Sequence, residues 1–236
     1  MEDGRLDLLR YKAFFLVVTG VLALLVSSPV LEKVLVYPQT EFFTELWLLG
    51  PQHTAENYPH NITNNENYSV FLGVANHLGS CAYYVVEAKL RNATQSGADS
   101  FNRTSSSLEP FYSLNFFVPD KETWEIPMSF SLDYSFEKVT RTVYRNVSVY
   151  APDGNVTYQM IPENVTLERA NLNLLRLNDI TVSLQGLSSD FDPQTREFFG
   201  NLVFELWIYD AQTSSFVYNE RYVDLKFNMT KTLLQP

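Results

Sequence analysis

The sequence predicts a mainly β protein with one N-terminal transmembrane helix. Three observations support this prediction: one long uncharged stretch near the N-terminus, apolar residues that recur at every second position over the rest of the chain, and an aromatic content of 14%. Aromatic and β-branched side chains suit a pleated, half-buried surface, so the composition favours strands. The 236 residues provide enough material for one large domain or two small ones.

The uncharged stretch extends from residue 13 to residue 31 and has Lys12 and Glu32 as its charged neighbours. A helix of this length measures roughly 28 Å, which is close to the hydrocarbon thickness of a bilayer. Basic residues before the stretch favour a short cytoplasmic N-terminus, residues 1–12. We therefore predict a transmembrane helix at 13–31 and an extracellular domain at 40–236. The protein is predicted to be a single-pass protein of the cell membrane, in contact with membrane lipid.

A cleaved signal peptide is the first alternative for this stretch, because a basic start and an apolar segment fit it as well. A cut after the small residues Val26 and Ser28 would leave Pro29 directly behind the cleavage site, which disfavours cleavage. A buried helix of a soluble domain is the other alternative. The two membrane-targeted interpretations agree that everything C-terminal is exported.

Small side chains are concentrated on one face of the predicted helix. Thr19, Ala23 and Ser27 are four residues apart, and Gly20 lies beside them. Helices in lipid associate through close packing, since the lipid tails are as apolar as leucine. The stripe therefore predicts a packing face for the helix of a membrane-protein partner.

Six segments after residue 40 alternate between apolar and polar positions, which places their apolar residues on one strand face, and a first strand precedes them. The first strand lies at 42–49 and the six segments at 70–74, 84–90, 114–118, 124–132, 202–208 and 223–227. One buried and one wet face is typical of antiparallel sheets, and seven strands in all predict an immunoglobulin-like β-sandwich. Trp124 leads its segment and is predicted to be buried. Pro127 predicts an edge or a bulge, because proline has no N–H to donate to a neighbouring strand.

Residues 134–198 interrupt this plan and are predicted to be an insertion that extends or covers the sandwich. Residues 143–150 and 156–161 flank the turn-forming Pro152-Asp153-Gly154 and predict a hairpin. Residues 167–177 fit a short helix and a strand equally well.

Eight Asn-x-Ser/Thr sequons follow the uncharged stretch, whereas the composition would give about three by chance. None has proline in its middle position, so each can accept an N-linked glycan. We predict N-linked glycans at Asn61, Asn67, Asn92, Asn102, Asn146, Asn155, Asn164 and Asn228.

The remaining composition disfavours several kinds of chemistry. A net charge of −10 repels phosphate backbones and predicts no nucleic-acid partner. Cys81 is the one cysteine, so no intrachain disulfide forms, and its side chain is predicted to be small, apolar and buried. Asp190 and Asp192 lack the further ligands of a calcium loop and are interpreted as part of a solvated turn. We predict no catalytic residue, no metal ligand and no cofactor, because the three histidines and nine glycines form no motif of that kind.

Three motifs carry a resemblance to a known family. They are Gly50-Pro51 with Ala55-Glu56-Asn57-Tyr58-Pro59, Gly73-Val74-Ala75-Asn76-His77-Leu78-Gly79, and Glu122-Thr123-Trp124-Glu125-Ile126-Pro127. Over residues 40–133 and 199–228 the chain resembles an archaeal membrane-protein family classed only as a domain of unknown function, with an immunoglobulin-like exported part. The resemblance implies an archaeal cell surface, where S-layer lattices are commonly glycosylated. The insertion at 134–198 lies outside the family pattern.

The first motif contains a candidate partner-binding loop, Glu56, Asn57 and Tyr58. A residue before proline avoids the helical region, so Tyr58-Pro59 predicts an extended crossover after the first strand. A structural role for this loop is favoured over partner binding.

Together these patterns predict a non-enzymatic accessory or structural subunit of a membrane protein complex, which braces or covers a larger partner on the extracellular side. The alternative is a free-standing glycosylated cell-surface protein that contacts the S-layer or a ligand. An exported enzyme is a third class that no specific motif supports.

Overall fold

The computed structural model describes residues 8–34, 42–150 and 156–231, with the side chains of 8–10, 27–34, 149–150 and 156–158 outside the description. The prediction of a mainly β protein is confirmed, since the described residues form one helix and eleven strands. These elements are α1 Leu8–Val34, β1 Phe43–Leu49, β2 Asn61–Ile62, β3 Tyr68–His77, β4 Ala82–Arg91, β5 Tyr112–Val118, β6 Thr123–Tyr150, β7 Val156–Leu177, β8 Ile180–Ser183, β9 Ser188–Asp192, β10 Glu197–Asp210 and β11 Ser215–Met229.

The chain divides into two compact units between Phe42 and Phe43, and the first unit contains α1. Every residue of α1 whose side chain is described, residues 11–26, is exposed. Large apolar side chains are exposed all along this part of the helix, among them Phe14, Phe15, Leu16, Leu22, Leu24 and Leu25. Within the described residues, no helix combines the length and the apolar character needed to cross a membrane.

All eleven strands of the second unit belong to one curled sheet. The order along its main path is β1-β3-β6-β7-β9-β10-β11-β2, while β4 pairs with β10 and β5, and β8 pairs with β7. The short pairing of β11 with β2 is parallel, and the other pairings are antiparallel. Strand β9 therefore joins a first half of the sheet, which contains β1, β3, β6, β7 and β8, to a second half with the remaining strands.

The two halves enclose a single hydrophobic core. Phe130 of the first half and Phe204 and Phe227 of the second half are almost completely buried in it. Phe116 of β5 stacks on Trp124 of β6, with ring centroids 3.7 Å apart and planes at 7°. Trp124 is thus packed against the core but is only partly buried, so the prediction of a buried Trp124 is confirmed only in part.

The structure tests the predictions made for residues 143–177, for Pro127 and for Cys81. Residues 167–177 are a strand within β7, and the predicted hairpin is the outer part of a long β6–β7 ribbon. At Pro127 strand β6 pairs with β3, and its pairing with β7 starts only at Phe130, so this part of β6 has one strand neighbour. The prediction for Cys81 is wrong: the residue is exposed, in the turn before β4.

Candidate interaction site

Most of the predicted glycosylation sites lie on the surface. The exposed asparagines are Asn61, Asn67, Asn102, Asn146 and Asn164, while Asn92 and Asn228 are partly exposed. Asn155 lies outside the described residues. An exposed sequon asparagine is sterically open to a transferase, so the fold leaves these five positions available for modification.

Asn92 and Asn228 also have roles within the fold. The side-chain amide nitrogen of Asn92 donates to the Ser188 carbonyl at 3.0 Å. That of Asn228 donates to Oδ1 of Asn61 at 3.0 Å, and Oδ1 of Asn228 accepts the Phe198 N–H at 2.9 Å. The amide nitrogen is the atom to which a glycan is attached, so modification of either residue has to replace these hydrogen bonds.

The candidate partner loop is folded back onto β1. The Tyr58 hydroxyl donates to the Leu48 carbonyl at 2.7 Å, and the Gly50 N–H donates to the Thr54 carbonyl at 2.7 Å. A Cβ on Gly50 would lie 2.2 Å from the Glu56 carbonyl oxygen, so only glycine allows this closure. Asn57 has a left-handed φ of 58° and, like Glu56 and Tyr58, is exposed.

The second and third family-like motifs meet around Trp47 of β1, beside His53 of the loop that contains the first motif. A Cβ on Gly73 would lie 2.2 Å from the Trp47 ring, which therefore packs directly on the β3 backbone. The ring nitrogen of Trp47 donates to Glu125 Oε2 at 3.2 Å, and His53 lies 3.4 Å from the other oxygen of Glu125. These residues hold β1, β3, β6 and the loop after β1 together, which is a structural role.

Asn76, in the second motif, is fully buried and uses both ends of its amide. Its nitrogen donates to the carbonyls of Ser80 at 2.7 Å and Val118 at 2.8 Å. Its oxygen accepts the Leu78 N–H at 3.0 Å and the Tyr84 hydroxyl at 3.3 Å. Because a buried amide is costly without partners, this complete set of bonds fixes the turn after β3.

A buried charge cluster lies on the outer face of the second half. Lys89 Nζ is 2.8 Å from Glu205 Oε2 and 3.1 Å from Glu87 Oε2, and the exposed fractions of the Lys89 and Glu205 side chains are 3% and 0%. The Ser106 N–H donates to Glu205 Oε1 at 3.0 Å, so the connection between β4 and β5 covers the pair. Burial and the nearby Glu205 carboxylate raise the pKa of Tyr218 to about 12. The sequence reasoning missed this cluster, since no motif distinguishes Lys89 from a solvated lysine.

The described residues bring no group of three or more metal-ligating side chains together. The three histidines lie apart, and each is close to a different glutamate: His53 to Glu125, His60 to Glu197 and His77 to Glu45. A polar surface groove of about 560 Å³ lies between the β4–β5 connection and β11, and is lined by Ser100, Arg103, Glu220, Arg221 and Tyr222. Arg103 and Glu220 form an ion pair at 3.4 Å within it.

The small residues of α1 are accessible where the structure describes them. Thr19, Gly20 and Ala23 are exposed, and a Cβ on Gly20 would have no heavy atom within 4 Å. The Thr19 hydroxyl donates to the Phe15 carbonyl at 2.6 Å, so its polar group is satisfied within the helix. The side chain of Ser27 lies outside the described part.

The most unusual surface is the outer part of the β6–β7 ribbon. Residues 138–150 and 156–168 pair with each other in 13 successive pairs, and the described residues add no third strand to this segment, which we call the arm. Thirteen residues of strand extend over about 43 Å. An isolated two-stranded ribbon is only marginally stable in water, so this geometry favours a further contact.

The two faces of the arm differ in chemistry. Alternation along the strands and the pairing register place six aliphatic side chains on one face, the aliphatic face: Val139, Val143, Val147, Ile161, Val165 and Leu167. The opposite face, the sequon face, contains both Asn146 and Asn164, and Thr142 there donates to Asn164 Oδ1 at 2.9 Å. Val143 and Ile161 are 42% and 46% exposed, so the aliphatic face is open to solvent in one copy of the chain.

The apolar residues change face where the ribbon leaves the core. In the body, Phe136 and its partner Ala170 face inward, whereas in the arm Val139 and its partner Leu167 lie on the other side. The aliphatic face is therefore not a continuation of the core. The sequence reasoning missed this face, although the shift in apolar spacing between Phe136 and Val139 was visible.

These features define a mainly β protein with an apolar N-terminal helix and a projecting two-stranded arm. The chain belongs to the family described as domain of unknown function (DUF1616), whose model matches residues 38–171. The match includes residues 134–171, so the expectation that this segment lies outside the family pattern is wrong for most of the arm-forming ribbon.

Comparison with individual proteins adds little. No match is found among curated proteins. Among solved structures, a β-glucosidase from Listeria innocua in complex with glucose is similar at 11% identity and a TM-score of 0.26, over 64% of this chain and 17% of the enzyme. A similarity at this level supports no conclusion on fold or activity.

Proposed function

We propose that the protein is a membrane-anchored, non-enzymatic accessory subunit that braces or covers a larger membrane-protein partner on the extracellular side. In this proposal residues 13–31 form the transmembrane helix, and the curled sheet forms an immunoglobulin-like sandwich outside the cell. The single observation that supports it most is the exposure of large apolar side chains along α1.

A helix that is apolar on all sides is either buried in protein or surrounded by lipid. Successive helical residues are about 100° apart, so Phe14, Phe15 and Leu16 point in different directions around α1, and each is more than half exposed. Their exposure to water would be unfavourable by about 25 cal/mol for each Å² of apolar surface. Lipid around the helix would remove this cost, and the uncharged stretch at 13–31, at roughly 28 Å as a helix, is close to the hydrocarbon thickness of a bilayer.

The partner contact is assigned to the small-residue stripe of α1. In lipid, two helices gain from association only through close packing, and Gly20 and Ala23 allow a neighbouring backbone to approach. Leucine at both positions is expected to fill that space and to release the partner without unfolding the β-domain.

The test is mild-detergent purification of the full chain from its own membranes, followed by identification of co-eluting proteins. Gly20→Leu with Ala23→Leu should lose a membrane partner that the wild type retains, while the matched control Val18→Leu with Val21→Leu, on the opposite helix face, should keep it. Equal recovery from both double variants would exclude the stripe as the contact.

The second candidate function is a free-standing glycosylated cell-surface protein that contacts the S-layer or a ligand. The five exposed sequon asparagines favour it, since dense surface glycans suit a chain that faces the medium. In the same purification, a wild-type chain that elutes without any stoichiometric membrane protein would support this candidate over the first.

A further inference from the structure

We propose that the aliphatic face of the arm is an interface between two copies of this chain, which pack arm against arm. This proposal concerns a different surface from the helix stripe and does not depend on a larger partner. It rests on the chemistry of the two arm faces, on the charge pattern along the strands, and on the area that the arm offers.

The two faces of the arm differ in how accessible they are to a second copy. The sequon face contains Asn146 and Asn164, which are both exposed, so glycans attached there would keep another protein away from it. Its threonines are also paired with partners on the same face, as Thr140 and Thr166 are at 3.3 Å. The aliphatic face contains no sequon asparagine among its described residues, and burial of its valine and isoleucine side chains is favourable.

The charges on the aliphatic face favour a second copy of this chain as the partner. On the aliphatic face, β6 contributes Arg141 and Arg145, and β7 contributes Glu163. A two-fold axis parallel to the strands places β6 of one copy over β7 of the other. The basic strand of each arm then faces the acidic strand of its counterpart, so the surface is complementary to itself, as a two-fold interface requires.

The ion pairs already present in one copy are compatible with this arrangement. Arg145 Nη2 lies 2.9 Å from Glu163 Oε2 across the ribbon, and their side chains are 70% and 47% exposed. Because both groups remain accessible, each has unused hydrogen-bonding capacity that a second copy can satisfy. Arg141 pairs with Asp190 at 3.0 Å and is 48% exposed, so it can act in the same way.

The area of the aliphatic face limits the strength of the contact. A ribbon about 43 Å long and about 10 Å wide has a footprint on the order of 400 Å². Two such footprints are at the low end for specific protein interfaces, which predicts a weak and reversible dimer. Confinement of both copies to one membrane, as in the proposed function, would raise their effective concentration and favour pairing.

The experiment uses single cysteines in the purified full chain with Cys81→Ser. Val143→Cys places a thiol on the aliphatic face, and the matched control Tyr144→Cys places one on the neighbouring residue of the sequon face. Tyr144 is 66% exposed and Val143 is 42% exposed, so random collisions would favour the control. A short bis-maleimide should give several-fold more cross-linked dimer from Val143→Cys, at the mass of two chains.

Equal cross-linking of the two variants, or no dimer from Val143→Cys, would overturn the proposal. A second measurement uses Val139→Cys as the reporter. Val143→Glu with Ile161→Glu should suppress its cross-linking, whereas Tyr144→Glu should leave it unchanged. The thermal melting of the β-domain shows that the charged variants remain folded. Persistence of the dimer in the folded double variant would likewise refute the arm-to-arm contact.

Discussion

At the scale of single residues, Lys89 determines whether the outer face of the second half can be buried. Glu87 and Glu205 lie directly opposite each other on β4 and β10, which is unfavourable for two like charges. The ammonium group of Lys89 is within 3.1 Å of a carboxylate oxygen of each. The cation therefore allows the β4–β5 connection to exclude water from an otherwise repulsive pair.

Lys89→Met is expected to lower the free energy of unfolding by about 3–5 kcal/mol, because it leaves Glu205 buried without its cation. Adding Glu205→Gln should recover part of the loss, since the amide oxygen can still accept the Ser106 N–H. Chemical denaturation of the β-domain measures both changes.

The matched control for this prediction is Lys226→Met. Lys226 is 62% exposed and lies 4.0 Å from Asp224, so its loss should cost less than about 1 kcal/mol. If Lys89→Met and Lys226→Met had the same effect, the buried cluster would not contribute as described.

At the scale of elements, the base of the arm is fixed by Asp190 of β9. Its carboxylate accepts from Arg169 Nε at 2.7 Å and contacts Arg141 Nη2 at 3.0 Å. The hydrogen bond from Arg169, followed by the charges of both arginines, lowers the pKa of Asp190. A single carboxylate thus connects the ribbon to the rest of the sheet.

Asp190→Asn is expected to increase hydrogen exchange in residues 138–150 and 156–168 at neutral pH, because the bridge to both arginines is weakened. Because the pKa of Asp190 is lowered in the folded protein, its carboxylate stabilises the arm fully at pH values above the usual pKa of an aspartate. This stabilisation is lost as the pH falls through the folded-state pKa. Protection factors of the wild-type arm should therefore decrease in acid, and those of the variant should change less.

Glu163→Gln is the control for this experiment, since the Arg145–Glu163 pair lies farther out on the arm and is largely exposed. It should leave exchange at the arm base unchanged. If the Asp190→Asn variant showed the same hydrogen-exchange protection as the wild type at neutral pH, the arm would be held by backbone pairing alone.

Long strands were predictable from the sequence, whereas short or irregular strands were not. The alternation around Val74, Val86 and Phe204 predicts strands that the structure contains, since one buried and one exposed face produces a two-residue period. Strands β2, β8 and β9 have two to five residues and produce no such period. The helix-or-strand ambiguity at 167–177 arises because β7 contains an irregularity opposite Asp133 and Tyr134, which shifts its apolar positions.

The candidate sites were predictable to a different degree. Sequons are local patterns, so their positions follow from the sequence, but their environments do not: the hydrogen bonds of Asn228 come from Asn61 and Phe198, which are distant in the chain. The exposure of Cys81 depends on the turn after Asn76, which is fixed by contacts with Val118 and Tyr84. Such long-range contacts have no signature in one sequence.

At the scale of the whole molecule, the two halves of the sheet depend on each other. Strand β9 joins them through three residue pairs with β7 and two with β10. Packing across the core, such as the stacking of Phe116 on Trp124, also connects them. Hydrogen bonds from Asn76 of β3 to Val118 and from Tyr84 to Asn76 add to this connection. The β-domain should therefore unfold as one cooperative unit.

Trp124→Ala is expected to cost about 3 kcal/mol, the lower end for truncation of a large aromatic side chain, because the ring is only partly buried. A double-mutant cycle with Phe116→Ala should give a coupling of about 0.5–1.5 kcal/mol for the stacked pair. Denaturant unfolding provides both values, and Phe101→Ala, at a side chain 93% exposed, should change the stability by less than about 0.5 kcal/mol. Additive effects of Trp124→Ala and Phe116→Ala would contradict a stacking contribution between the halves.

The change of apolar face between Phe136 and Val139 has a consequence for how the ribbon finds its alignment during folding. In a uniformly alternating ribbon, a slip of two residues keeps every side chain on its own face and is hard to reject. Here the change occurs at the same level on both strands, at Ala170 and Leu167 of β7. A slip of two residues would bring the two levels out of step and would set apolar side chains opposite polar ones at the junction. The change of face thus favours one alignment of β6 with β7. This alignment comprises 21 residue pairs, which involve Phe130–Asp133 and Tyr134–Tyr150 of β6.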